Sequence, residues 1–352
     1  METVFAAMSG GFDSCLAAWL LKKAGHKVVG VTFSLFPGSF LEKWGLDACS
    51  SRAAVSQAQR FCRDLSIPHH VIDLSDIFLH RVIEPFIEGY RRGITPNPCI
   101  LCNRFVKFGA FRERAMAMGA DMIATGHYAR SVSRQGHMVL RKGSDARKDQ
   151  SYFLYSIGEE ALMRAVFPLG DYTKEGLRTL AANEGLRCAL SRESQDICFI
   201  PNGNYAEFLS RFIKPKRGNV YLPDGTRLGF HEGIHLFTIG QRRGINIPYR
   251  EALYVINIHA DENSIVVGTK KDLRTDTLTA RSVSLLYPVS TPISARVRYR
   301  QPDKPCSCEF RDETLSVTFE EPVDGVTPGQ SVVLYHDDIV VGGGVIEKRV
   351  AM

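Results

Sequence analysis

Two groups of residues in this 352-residue chain have types and spacings that could do chemistry, and the first is Ser9-Gly10-Gly11-Phe12-Asp13-Ser14. Paired glycines let a backbone approach an anion closely and turn several N–H groups toward it. Ser9 and Ser14 add hydroxyl donors, and Asp13 could cap a helix or hold Mg²⁺. Ahead of the turn, Val4 to Met8 reads as a central parallel strand, apolar on both faces. Behind it, Leu16, Trp19, Leu20 and Lys23 fall at helical spacing beside Ala17, Leu21 and Ala24, and Gly25 is placed to stop that helix. Strand, Gly-Gly turn and helix N-terminus together make a phosphate grip. The turn holds no lysine and lacks the three-glycine spacing of dinucleotide folds. Such a loop suits an enzyme that cleaves ATP to AMP and pyrophosphate. The plain alternative is a strand–turn–helix corner with incidental glycines.

The second group is cysteine. Cys102 is expected to begin a helix, whose dipole lowers a thiol pKa. Cys198, in Ile197-Cys198-Phe199-Ile200, taken alone reads as a packing cysteine in a buried strand. Cys99-x-x-Cys102 with Cys306-x-Cys308 could form a zinc site. Against it, Cys306 and Cys308 alternate along a strand and are expected to face opposite sides, so no metal site is assigned. A Cys99–Cys102 dithiol of thioredoxin type would leave the ATP loop unexplained.

The elements that must position these residues read as an α/β chain. His26 to Phe33 is the second parallel strand, and its end puts Phe33 where an adenine ring would rest. Ser34 to Cys49 reads as a loop; Ser50 or Ser51 then caps a helix that Pro68 breaks, and His70 to Leu74 is a strand. Ile77 to Tyr90 is helical with a kink at Pro85, Thr95 to Pro98 is a rigid turn, and a helix follows from about Cys102. Asp121 to Gly126 is a strand, Tyr128 to Arg141 a hairpin turning at Gln135-Gly136, and Lys148 to Ser151 the start of another helix. Thr173 caps one ending at Gly185. This is a doubly wound parallel sheet with ligands at the strands' carboxyl ends, where the first loop and Gly126-His127 both lie. Short strands follow from about Asn202, and from about Thr275 alternating strands suggest a small β-barrel. The expected domains are 1–201, 202–274 and 275–352.

A formal charge of +6 permits nucleic acid as a partner without demanding it. No apolar run reaches membrane-spanning length, and a core strand begins almost at once, so no leader peptide and no membrane are expected. A cytoplasmic protein follows, with its nine cysteines mostly reduced.

The first loop resembles that of the N-type ATP pyrophosphatases. The whole chain resembles the bacterial tRNA-specific 2-thiouridylases, through Ser9 to Ser14, Thr95 to Pro98 with Cys102-Asn103, Ala124 to Tyr128, Lys148 to Leu154, Ile197 to Ile200, Thr238 to Gly244, Val297 to Gln301, Thr327 to Gln330 and Gly342 to Gly344, in family order. The resemblance implies ATP-dependent 2-thiolation of the wobble uridine, in the tRNA anticodon stem-loop, with a protein sulfur donor such as a cysteine desulfurase or relay carrier. It implies ATP contacts at Ala7, Met8, Ser9, Gly10, Gly11, Phe12, Asp13, Ser14, Phe33 and Gly126. Cys198 would carry a persulfide, and Cys102 would be the nucleophile that frees its sulfur, leaving a Cys102–Cys198 disulfide. Asn97, Pro98, Cys99, His127, Lys148, Asp149, Gln150, Arg298, Tyr299 and Gln330 would contact tRNA; the plain alternative is solvated surface. One departure stands out: Asn97-Pro98-Cys99 replaces the family's Asn-Pro-Asp, and a thiol cannot stand in for an ionised carboxylate. The rival functions are another ATP-dependent synthetase or amidotransferase of this loop class, and a non-catalytic RNA binder.

Overall fold

Val4, Phe5 and Ala6 are buried on both faces of their strand, as an apolar run without alternation requires. Strand β1 (Thr3–Ala7) is therefore central. It pairs in parallel with β2 (Lys27–Ser34) and β4 (Met122–Ala124), with β3 (His69–Asp73) and β7 (Ala165–Val166) outside them, in the order β3-β2-β1-β4-β7. Helix α1 (Phe12–Lys23) packs Leu16, Ala17 and Leu21 into one core with Phe61 and Cys62 of α2 (Cys49–Asp64) and with Leu177 and Ala181. Burying each of the larger side chains contributes roughly 1.5–3 kcal/mol. Gly25, with φ +87°, ends α1 as expected.

This computed structural model describes residues 1–38, 49–134, 136–186, 188, 197–200 and 203–350. The chain divides into two units. One is Met1–Val82 with Cys99–Gln195 and Asp338–Val340; the other is Ile83–Pro98 with Asp196–Asp337 and Val341–Met352. Most of the expected loop at Ser34 to Cys49, and Gln135 in the hairpin turn, lie outside the described residues. Ser50 and Ser51 fall within α2 and do not precede it, which corrects their reading as caps.

The first unit also carries the hairpin of β5 (Ala129–Arg134) and β6 (His137–Lys142), as expected. Arg130 and Arg141 both reach Asp338, at 2.8 and 2.6 Å. Ile77 to Tyr90 is helical as expected, in three contiguous segments, and two other helix readings are corrected. Ser75–Phe78 is α-helical, Leu79–Ile83 takes a π-helical turn, and Glu84–Arg91 is α-helical with Pro85 in its first turn. A proline lacks the N–H that an α-helical ladder needs, and here the π-helical turn just ahead of Pro85 accommodates it. Pro98–Leu101 is already helical, so Cys102 does not begin the helix; it opens a π-helical stretch, Cys102–Phe111, that continues as Arg112–Ala117. Lys148 to Ser151 leads only into a single 3₁₀ turn, Ser151–Phe153. Thr173 caps the helix Lys174–Asn183 through a bond from Gly176 N at 3.1 Å.

In the second unit β8 (Gly218–Tyr221), β9 (Arg227–His231), β10 (Tyr254–His259) and β11 (Ser264–Gly268) form a sheet over Val220, Val255, Ile265 and Val267. A short helix, Tyr205–Ser210, precedes it. Six strands follow: β12 (Arg274–Leu285), β13 (Ile293–Arg296), β14 (Lys304–Arg311), β15 (Thr314–Asp324), β16 (Ser331–His336) and β17 (Ile339–Val350). They run β12-β15-β14-β13-β16-β17 and close into a barrel through β12–β17 pairing, with the β6-β5 hairpin joined to β17 at Ile339. The interior is filled by alternate residues such as Leu278, Ala295, Val317, Phe319 and Leu334. Cys306 and Cys308 both pack toward this core, against the expectation of opposite faces. Side chains two apart on a strand share a face. Among the described residues no group of three or more His, Cys, Asp or Glu could hold a metal ion, and no helix is long and apolar enough to cross a membrane.

Candidate functional site

The phosphate loop leaves β1 at Ala7, where the Met8 N–H still bonds Val31 O at 2.7 Å. Gly10 sits at φ +78°, and a Cβ there would stand 2.8 Å from Ala54 O, so side-chain-free backbone is required. Ser14 Oγ receives the Ser9 N–H at 3.1 Å and donates to Gly11 O at 3.0 Å, which closes the turn on itself. Gly11 is the N-cap of α1, with no side-chain cap. Asp13 therefore does not cap the helix, and that option is corrected. Its Oδ1 instead accepts from Tyr128 OH at 2.7 Å and from Lys174 Nζ at 2.6 Å.

Lys174 is a residue that pattern reading missed. It is the first residue of its helix, its side chain is only 8% exposed, and its ammonium lies 4.4 Å from the Phe12 ring centroid. The turn has no lysine of its own, but the fold brings one to it from 161 residues away. The only sequence signal was a charged residue at a capped helix start. Gly126, at the end of β4, crosses beneath the loop: a Cβ on it would lie 2.9 Å from Asp13 C and 3.0 Å from Ser14 N. Half-buried Phe33 packs against Phe111, with ring centroids 4.8 Å apart. The first loop, Phe33 and Gly126 thus belong to one unit.

Cys99 and Cys102 also lie in this unit, one helical turn apart. Burial pushes the Cys99 thiol up to about 11 and raises that of Cys102, while the positive charge of Lys107 pulls both down. The expected lowering by a helix start is corrected: Cys102 is inside the helix, buried, with a raised pKa. Lys107 Nζ donates to His127 Nε2 at 3.3 Å, and His127 Nδ1 lies 2.7 Å from Thr125 Oγ1. His127 is 8% exposed, and burial, followed by the Lys107 charge, holds its pKa well below 6.5. Cys198 differs from both. It is exposed on a turn closed by Ile200 N to Ile197 O at 2.9 Å, so the buried-strand reading is corrected.

Several residues assigned to tRNA by resemblance are built into the fold. Asp149 is buried and receives the N–H groups of Gly143 and Ser151 at 3.1 and 3.0 Å. Gln150 Oε1 accepts from Tyr128 N at 3.0 Å. In the second unit Arg298 donates to Gly325 O at 2.8 Å and Ile239 O at 2.7 Å, and Gln330 Nε2 donates to Thr95 O at 2.8 Å. Asn97, Tyr299 and Lys148 are half-buried and Pro98 is buried. Cys99, Cys102, His127, Lys148, Asp149 and Gln150 thus lie in the first unit; Asn97, Pro98, Cys198, Arg298, Tyr299 and Gln330 lie in the second.

Three stretches match known families: residues 2–202 the tRNA methyl transferase HUP domain, 206–269 the tRNA methyl transferase PRC-barrel domain, and 275–346 the aminomethyltransferase beta-barrel domain. The tRNA-specific 2-thiouridylase MnmA of Syntrophotalea carbinolica is 44% identical over 347 residues, 97% of each chain. That of Moorella thermoacetica is 42% identical over 351 residues, 97% of this chain and 98% of the relative. MnmA 1 of Caldanaerobacter subterraneus subsp. tengcongensis is 41% identical over 357 residues, 99% and 98% of the two.

Proposed function

The chain belongs to the family of tRNA-specific 2-thiouridylases, and from that membership we propose that it places sulfur on C2 of the tRNA wobble uridine at the expense of ATP. The observation that carries this reading is the pairing of a phosphate-gripping loop with an exposed thiol at Cys198, in a chain 44% identical to such an enzyme over 97% of its length. Ala7 to Ser14, Phe33 and Gly126 hold ATP. The loop N–H groups and the start of α1 face the phosphates, and Lys174 supplies the cation the loop lacks. The Asp13 carboxylate is a hard oxygen donor beside that loop, with Oδ1 already fixed by two donors, and it suits Mg²⁺. Bound there, Mg²⁺ would neutralise charge on the departing pyrophosphate.

The uridine must leave the anticodon stack to reach the site, which its single-stranded loop permits. Its C2 oxygen attacks the α-phosphate, pyrophosphate departs, and an adenylated base results. Sulfur then displaces AMP. Either Cys102 attacks the Cys198 persulfide and frees hydrosulfide that adds at C2, or the persulfide adds and Cys102 then cleaves its S–S bond. Both orders yield 2-thiouridine, AMP and a Cys102–Cys198 disulfide that a reductant resets. A protein of the cysteine desulfurase or sulfur-relay class charges Cys198, whose exposure supports transfer from another protein. The tRNA contacts are those named above, in a cytoplasmic enzyme of three domains, 1–201, 202–274 and 275–352.

The test is nucleoside mass spectrometry of tRNA incubated with the protein, ATP and a sulfide or persulfide source. The expected product is 2-thiouridine at the wobble position, dependent on ATP. Its absence with an intact ATP–pyrophosphate exchange would favour another synthetase of this loop class.

A further inference from the structure

The catalytic assignment leaves Cys102 with a physical problem. A nucleophilic sulfur must shed its proton, yet this one is buried, and burial disfavours the thiolate. The family's usual carboxylate at position 99 is here a second thiol, itself pushed up to about 11 by burial. Among the described residues, the groups that bear on Cys102 are Cys99 one turn before it and Lys107 after it, with His127 behind Lys107.

The helix geometry decides where Lys107 points. In an α-helix, side chains five apart stand about 140° from one another around the axis. Cys102–Phe111 is π-helical, with bonds closing at i+5, and that wider winding narrows the angle between residues i and i+5 from about 140° to about 50°. Cys102 and Lys107 are such a pair, so the wide turn brings the lysine toward the thiol's side of the helix, where its positive charge bears on the sulfur. A lysine has no acceptor, so its contact at 3.3 Å makes His127 Nε2 the acceptor and puts the ring proton on Nδ1. That proton is then donated to Thr125 Oγ1 at 2.7 Å. Thr125 and His127 are 3% and 8% exposed, and Phe108 and Phe167 flank the imidazole with ring centroids at 6.1 and 6.4 Å. The imidazole is therefore a fixed neutral acceptor that aims Lys107.

We propose that Lys107, aimed by His127 and Thr125, is the positioning residue that readies Cys102 for attack, its ammonium acting as counter-ion to the sulfur once the thiol proton has passed to solvent. This rests on the reading of Cys102 as nucleophile. A carboxylate at position 99 would compete for the same ammonium; the thiol there, protonated at neutral pH, does not.

The experiment follows alkylation of Cys102 by iodoacetamide against pH, by peptide mass spectrometry, in the full-length protein without ATP or tRNA. Exposed Cys198 serves as the internal reference. Lys107→Met, and Lys107→Gln as a second variant should the first not fold, should move the Cys102 midpoint upward by a unit or more. That is about a tenfold slower reaction at any pH below both midpoints. Lys107→Arg should restore the native profile, and Cys198 should be unaffected throughout. An unchanged Cys102 profile in a folded Lys107→Met or Lys107→Gln protein, or an equal slowing at Cys198, would overturn the proposal. Because no tRNA is present, loss of thiolation activity cannot mimic either result.

Discussion

Asp13 shares one carboxylate oxygen between Tyr128 and Lys174, directly under the phosphate loop. Asp13→Asn removes the charge and keeps the shape, so ATP–pyrophosphate exchange should fall by at least about tenfold while tRNA retention on filters stays within about twofold. Equal loss of both would mark Asp13 as structural. Gly126→Ala should act on the same assay, because its Cβ would press on Asp13 and Ser14 backbone at 2.9–3.0 Å. A second residue-scale prediction concerns pH. Burial depresses the folded pKa of His69, His127, His231 and His235. For groups lowered on folding, the unfolded chain binds more protons below its ordinary histidine pKa. Stability should therefore be full above about pH 6.5 and fall as pH drops below it, by at most roughly 1.4 kcal/mol per unit for each such histidine. Urea titrations between pH 5 and 7 measure this slope, and His127→Gln should reduce it. The loop itself was legible from its own residues, since glycines and hydroxyls advertise an anion locally. Lys174 was not, because its meaning depends on a partner 161 residues away.

At the scale of elements, the parallel strands and their helices were legible because burial on both faces leaves unbroken apolar runs and caps carry local signals. Thr173 is such a signal, and Thr173→Ala should cost about 1 kcal/mol in thermal or urea unfolding without altering ATP exchange at temperatures well below the transition. The π-helical stretches at Leu79–Ile83 and Cys102–Phe111 were not legible. Sequence periodicity separates 3.6 from 2, but a local widening by one residue per turn depends on packing rather than on spacing. What relocates Cys102 from a helix start to a buried interior position is the helical turn Pro98–Leu101 ahead of it, where the sequence, with its two prolines, reads as a rigid turn. The spacing of Cys306 and Cys308 was misread, since alternation itself puts residues two apart on one face.

At the scale of the whole molecule, the closed barrel was readable from turn signals and alternating strands, whereas which polar residues face a partner was not. Arg298, Asp149 and Gln330 look like free contacts in the sequence, yet in the fold they bond backbone groups. Each holds its own part of the fold, and substitution at any of them should cost stability in urea unfolding. A formal charge of +6 supports a phosphate footprint, and tRNA affinity should fall steeply between low and physiological salt; a nearly flat dependence would count against a large one. The central claim is that Cys198 delivers sulfur and Cys102 releases it. It is tested most directly by one turnover on a wobble-uridine tRNA with ATP, using enzyme carrying a Cys198 persulfide and no reductant, followed by peptide mapping. The account predicts one 2-thiouridine and one AMP per Cys102–Cys198 disulfide, no 2-thiouridine from Cys102→Ser or Cys198→Ser, and adenylation intact in Cys198→Ser. A Cys99–Cys102 disulfide in its place, with Cys198→Ser still thiolating, would contradict it.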